Sequence, residues 1–463
     1  MARAPKIGLL PLYLKLYDDL MPERRAGFEP FVDTVMQGFR RRGIEVVQCR
    51  ACRVEAEFEQ AVDHLESAGV DLIVTLHLAY SPSLEAVEAL TDTELPLLLL
   101  DTTMDEAFGK DVQADRIMYN HGIHGVQDLA CMLRRLGKPY QIVAGHVSSS
   151  PVLERAADIA RAAFAAQCLA DSRALRIGPP FAGMGDFAVD EDLLESELGI
   201  TVDEITRRDL EQAAKAVTEK AIRAEMASDL KRFAADIDPV VHHRSVRTGL
   251  GLRNLLQRGG YGAFSMNFLA FDSPRGAANV VPFLEASKAM ARGIGYAGEG
   301  DVLTASLVGA AAAGFGRTTF TEIFCPDWQG NALFLSHMGE INPEVVSGKA
   351  ALTEKPYTFS RALDPAVVTG APAAGPGVLV NLAPGPDNSF GLIVAPVEIL
   401  GDSDNPSLRG AVRGWIRPRG SLATFLEQYS LNGGTHHSAL VLGDRAEAIA
   451  AFAQFADLEC VVL

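Results

Sequence analysis

Cysteine and tryptophan are scarce in this 463-residue sequence, with six of the first and two of the second. Only Cys49 and Cys52 stand close together, in "CRAC"; Cys131, Cys168, Cys325 and Cys460 are scattered. A lone C-x-x-C is half of a zinc site or a redox pair, and no second pair completes a zinc site. The thiols are therefore read as reduced, and the compartment as cytoplasm. Long apolar runs are missing too. No stretch approaches the ~18 uninterrupted apolar residues of a membrane span. The nearest candidate, "LVGAAAAGFG", is short and rich in Gly and Ala. The opening "MARAPKIGLLPLYL" has only a short apolar run and no small-residue cleavage site, so no secretory signal is expected. Positive charge is in the minority, with 42 Lys and Arg against 59 Asp and Glu and a formal net charge of −17. Nucleic acid and anionic membranes both call for a basic face, so neither is expected as a main partner.

What is present suits a multidomain globular chain. Hydrophobic content of 48%, charged content of 22% and 42 glycines exclude a disordered or coiled-coil protein. The length suggests two to four domains. The first half alternates strand and helix: "KIGLLPLYL", then the helix "RRAGFEPFVDTVMQGFRRRG", then "IEVVQC", "EAEFEQAVDHLESAG", "VDLIVTLHL", "SLEAVEAL" and "PLLLLDTT". The strands are short, continuous and rich in Ile, Val and Leu, as a sheet covered on both faces requires. Repeated β-α units imply parallel doubly wound sheets. Helical blocks at about 207–235 and 239–258 precede the strand "YGAFSMNFLAF" in a second α/β region. After Gly316 the pattern changes to strands separated by Gly and Pro clusters. The expected layout is two Rossmann-like α/β domains, 1–170 and 171–316, then a mostly antiparallel β-rich domain, 317–463.

Four residues carry the chemical signal. Glu299 sits between glycines in "AGEGDV", where the backbone can press a carboxylate against a ligand. Asp301 beside it reads as a helix N-cap. A surface glutamate in a turn fits the same segment. Glu322, in "TTFTEIF", shares a strand face with Phe320 and Phe324, an awkward place for an unpaired carboxylate. His337 ends "NALFLSH". A hairpin turning at Gln329-Gly330 would set Glu322 directly across from His337, and a structural ion pair explains that equally well. His436 and His437, in "LNGGTHHSAL", would point to opposite faces of an extended strand. His242-His243, in "VVHHRS", reads as a solvated helical face. Together, Glu299, Glu322, His337 and one of His436 and His437 make an N/O site suited to Mn²⁺ or a similar divalent ion. Such an ion polarises a sugar carbonyl and hydroxyl, and two glutamates can exchange protons with the sugar. "GIGYAG" (293–298) matches G-x-G-x-x-G, but it follows a helix, and a nicotinamide oxidoreductase rests on that pattern alone.

At "YAGEGD", "FTEIF", "LSHMGEINP" and "GGTHHS" the chain resembles the L-arabinose/L-fucose isomerase superfamily, more on the arabinose isomerase side. The resemblance implies that Glu299, Glu322, His337 and His437 bind Mn²⁺, and that both glutamates move protons between C1 and C2 through an ene-diol. It implies that His436 contacts the sugar or a neighbouring group, and that Phe268 lines the pocket. It also implies that His124, in "GIHGVQD", serves a neighbouring subunit's site within a homo-oligomer, a hexamer or a tetramer. The expected substrate is a free monosaccharide. The family's Gln-His-Leu-Tyr-Gly run is replaced here by "PLYLKLYDDL", which leaves the sugar open among pentoses, hexoses and deoxysugars. The competing expectation is a sugar-binding or regulatory protein of the same fold without turnover.

Overall fold

Leu72–His77 and Leu97–Asp101 are almost wholly buried apolar runs, and such strands need cover on both faces. In a computed structural model, which describes residues 3–403 and 405–463, they lie inside a five-stranded parallel sheet. Its spatial order is Glu45–Gln48, Lys6–Leu12, Leu72–His77, Leu97–Asp101 and Gln141–Ala144. The chain moves first to one side of Lys6–Leu12 and then to the other, the doubly wound arrangement. The helix Glu55–Ser67 turns Phe58, Ala61, Val62 and Leu65 inward, one stripe at helical spacing. The helix expected over "RRAGFEPFVDTVMQGFRRRG" is divided into a 3₁₀ turn, Pro22–Phe28, and an α-helix, Glu29–Arg40. Pro30 stands at the start of the α-helix, where its missing N–H costs nothing.

This sheet belongs to one compact unit, ending at Gln167; the second runs from Cys168 to Leu463. In the second unit a four-stranded parallel sheet has the order Gly295–Gly298, Ala263–Met266, Arg173–Ile177, Thr201–Ile205. "GIGYAG" follows the helix Phe283–Met290, as expected, and its last four residues form the strand Gly295–Gly298. Its glycines lie in or before that strand, not in the turn that opens the next helix, so no phosphate-binding fingerprint results.

A seven-stranded sheet follows, in the order Gly375–Pro384, His437–Leu442, Thr318–Asp327, Ala332–Ser336, Gly414–Pro418, Phe390–Ile399, Glu459–Val462. Gly375–Pro384 also pairs with Phe390–Ile399, which closes the sheet into a barrel-like form. All its pairings are antiparallel except that of Glu459–Val462. A smaller sheet joins Ala234–Asp236, Ala351–Glu354 and Ala366–Thr369. The apolar helix Val302–Phe315 is buried along nearly its whole length and packs on both larger sheets of this unit. It starts three residues after Glu299, so its burial fixes where that carboxylate meets the barrel strands. Among the described residues no helix is long and apolar enough to cross a membrane.

Candidate active site

Glu299 occupies the tight reversal between the strand Gly295–Gly298 and the helix Val302–Phe315. Its φ is +65° and that of Gly300 is +91°. A left-handed glutamate is strained, by about 1–3 kcal/mol, and persists only where its surroundings impose it. Here Glu299 N donates to Met266 O (2.9 Å), Gly300 N to Ser265 Oγ (2.9 Å), and Phe181 N to Glu299 O (2.9 Å). The flanking glycines are required by close approach. A Cβ on Gly298 would lie 2.7 Å from His337 Cε1, and one on Gly300 would lie 2.6 Å from Pro180 Cα.

Glu322 lies on Thr318–Asp327, opposite His437 on one side and Ser336 on the other. The expected register across from His337 is off by one. It holds from Cys325, which pairs with Phe334, to Asp327, and a bulge between Ile323 and Cys325 shifts it beyond. The same bulge turns Phe324 out to solvent instead of beside Glu322. His337, just past the strand end, still comes to the carboxylate: its Nε2 is 3.9 Å from Glu322 Oε2.

Both buried imidazoles are anchored the same way. His337 Nδ1 lies 2.7 Å from Glu340 Oε1, and Glu340 also accepts from Tyr296 Oη (2.7 Å) and Gly339 N. His437 Nδ1 lies 2.9 Å from Asp301 Oδ2, while Oδ1 of the same aspartate caps the helix at Thr304 N (2.8 Å). A carboxylate only accepts, so Nδ1 carries the proton in each ring. Nε2 of each ring faces the site, buried and without a partner in the protein. Phe320 meets both rings edge-on, at 4.8 and 4.9 Å, and Phe187 stacks on His437 at 5.2 Å.

His436 does not diverge from His437. It precedes the strand His437–Leu442 at a bend, and the two ring centroids are 4.3 Å apart. Asp186 holds His436 through Nδ1 (2.6 Å) and backbone N (3.1 Å), while Nε2 stands 3.7 Å from Glu299 Oε2. Two sets of donors, Glu299/His436/His437 and Glu322/His337/His437, each lie within 4.8 Å of one another and share His437. Phe268 is buried and packs against Phe181 at 5.4 Å. His124 belongs to the other compact unit, on the helix Ile123–Leu136, with its ring 5.9 Å from that of His121.

The electrostatics separate the two glutamates. Burial opposes ionisation of Glu299, but the neighbouring imidazoles of His436, His437 and His337 hold its pKa low. Burial dominates at Glu322 and raises its pKa. Burial also opposes protonation of His337, yet the Glu340 carboxylate raises its pKa on balance. A buried imidazole whose Nε2 has no partner in the protein marks a place where a cation can bind.

Sequence models of the L-arabinose isomerase N-terminal, central and C-terminal domains match residues 43–171, 182–313 and 317–459. The L-arabinose isomerase 1 of Bacillus licheniformis is 30% identical over 423 residues, covering 88% of this chain and 82% of that protein. The L-arabinose isomerase of Nocardioides sp. is 31% identical over 414 residues, 85% of this chain and 80% of that protein.

The chain belongs to the L-arabinose isomerase family.

The family is one of aldose–ketose isomerases, which are intramolecular oxidoreductases. The boundary between the central and C-terminal family matches falls at residues 313 and 317, so Glu299 lies on one side and Glu322, His337, His436 and His437 on the other. The sequence reading missed the carboxylates that orient the rings. Asp301 was legible only as a cap, although it follows Glu299 by two residues. Glu340 stands three residues after His337, a spacing that could have flagged it. Asp186 gives no local signal, being 250 residues from His436. His242, expected on a solvated face, is buried against Asp229 at 3.1 Å, because it falls on the inward stripe with Val241, Ser245 and Val246.

Proposed function

We propose that this protein is a divalent-metal-dependent isomerase of a free aldose, with L-arabinose the first candidate. One observation carries the reading: two carboxylate-anchored imidazoles present buried, unpartnered Nε2 atoms, His437 within metal-ligand reach of both glutamates and His337 within reach of Glu322. Glu299, Glu322, His337 and His437 would hold Mn²⁺ or a similar ion, a set of two oxygens and two nitrogens that suits it. When bound, such an ion polarises the sugar's carbonyl and adjacent hydroxyl.

The chain's own groups handle the protons. Aldose-to-ketose conversion removes the proton on C2, returns one to C1, and moves the O2 proton to O1, so no external oxidant is needed. Two carboxylates with opposite pKa shifts suit this task, Glu299 holding the ionised form more firmly and Glu322 taking up a proton more readily. His436, held by Asp186, stands beside Glu299 where it can hydrogen-bond a sugar oxygen. Phe187, Phe320 and Phe268 keep bulk water away, which strengthens these interactions. The family resemblance at "GIHGVQD" supports a homo-oligomer in which His124 completes a neighbouring subunit's site.

The test is a panel of free aldoses with Mn²⁺, read as ketose formed and as deuterium from D₂O entering the sugar. Ketose with exchange at C2 of L-arabinose or a related aldose is the expected result. Sugar binding without ketose or exchange would identify a non-catalytic binding protein.

A further inference from the structure

Tyr357 lies on the loop between the strands Ala351–Glu354 and Ala366–Thr369. The loop closes on itself through Lys355 N to Pro365 O (3.1 Å) and Tyr357 N to Asp364 Oδ1 (2.8 Å). Arg244 Nε donates to Asp364 O (3.1 Å), and Leu363 N donates to Asn279 O (2.9 Å), which fixes the loop's far end. Aromatic rings hold the Tyr357 ring at 5.5 Å (Phe283), 5.6 Å (Phe359) and 6.3 Å (Phe268). Phe268 then meets Phe181, whose N–H holds the backbone oxygen of Glu299. The ring is part of a wall that runs to the reversal carrying Glu299.

The hydroxyl of this ring is the anomaly. Tyr357 is 4% exposed, and its Oη is buried with no partner in the protein. Buried tyrosine hydroxyls nearly always find a partner, since an unpaired one is costly. From residue 168 onward the other unpaired buried side-chain atoms among the described residues are His337 Nε2, His437 Nε2, Asn279 Oδ1 and Thr318 Oγ1. Two of those are the imidazole nitrogens that face the proposed metal. Burial, then the charges of Glu340 and Glu299, push the Tyr357 pKa upward, so the phenol stays protonated and available as a donor.

We propose that Tyr357 is a substrate-positioning residue whose hydroxyl donates a hydrogen bond to an oxygen of the bound aldose beside Glu299. The assignment rests on the isomerase reading. It also predicts a preference: a deoxysugar lacking that oxygen gains nothing from the phenol.

The experiment compares Tyr357→Phe with the parent, both loaded with Mn²⁺. Expected are unchanged Mn²⁺ affinity and an unchanged or raised Tm in sugar-free protein, because an unpaired buried hydroxyl has been removed. For the preferred aldose kcat/KM should fall about tenfold or more, the worth of one hydrogen bond made in a site closed to water. The affinity for an alditol of the same configuration, read by calorimetry, should fall in parallel. A kcat/KM within twofold of the parent overturns the proposal, as does a loss of Mn²⁺ affinity or a marked drop in Tm, either of which makes the phenol a structural group. A parent that neither binds nor converts any sugar removes the isomerase reading and this one with it. An active parent with an unaltered variant removes this one alone.

Discussion

Asp301 does two jobs with its two oxygens: one caps the helix Val302–Phe315, and the other fixes the His437 ring. Asp301→Asn keeps the size and a capping oxygen but replaces the ionised acceptor with an amide. Mn²⁺ affinity should fall about tenfold to a hundredfold, the usual effect of removing a ligand's orienting carboxylate, while Tm moves little. A Mn²⁺ titration followed by spin resonance, beside a thermal melt, checks both. Unchanged affinity would mean that Asp301 serves the helix only. At this scale the sequence was readable where a residue's own neighbours carry the signal. Glu299 between glycines falls in that class. It was unreadable where the partner is distant, as with Asp186, or where the backbone departs from ideal extension. The bend at His436 and the bulge beyond Ile323 each moved one side chain from its expected direction.

Buried charge ties together the helices Glu219–Arg232, Pro239–Gly259 and Phe283–Met290. Arg253 reaches Glu225 (2.6 Å) and Glu285 (2.8 Å), and Lys288 reaches Asp229 (2.7 Å). Burial alone would raise the Glu225 pKa, but Arg253 and Lys288 bring it down to about 2. A carboxylate lowered in the folded state adds stability above its ordinary pKa, and that stability is lost as pH falls toward the folded value. Glu225→Gln should therefore cost about 3 kcal/mol at pH 7, as breaking a buried pair does. The gap from the parent should shrink steadily between pH 4.5 and pH 2, the two values that bound this titration. Urea unfolding at several pH values measures it; a gap independent of pH would show that the carboxylate's charge is not what stabilises these helices. Elements with a strong apolar period were legible, while Thr201–Ile205 and Glu459–Val462 were not. Both are edge strands whose polar, exposed residues hide the alternation. Gly295–Gly298 is fully buried, yet its glycines mask a strand.

Across the whole molecule, the alternation of strand and helix in the first half and the change after Gly316 foretold parallel sheets followed by an antiparallel one. The closure of the last sheet through Gly375–Pro384 and Phe390–Ile399 was not legible, because it depends on pairing choices that no single segment encodes. If His124 serves a neighbouring subunit, His124→Asn and Glu322→Gln proteins, each inactive alone, should regain activity when their subunits are exchanged. No recovery after demonstrated exchange would confine each site to one chain. The central claim is that Glu299, Glu322, His337 and His437 hold one divalent ion on which isomerisation depends. The most direct measurement titrates chelator-stripped protein with Mn²⁺ and follows bound ion and ketose formation in the same samples. One ion per chain is expected, with the rate rising in step with occupancy and both lost in His437→Ala. Full turnover by metal-free protein, or tight Mn²⁺ binding retained in His437→Ala, would contradict it.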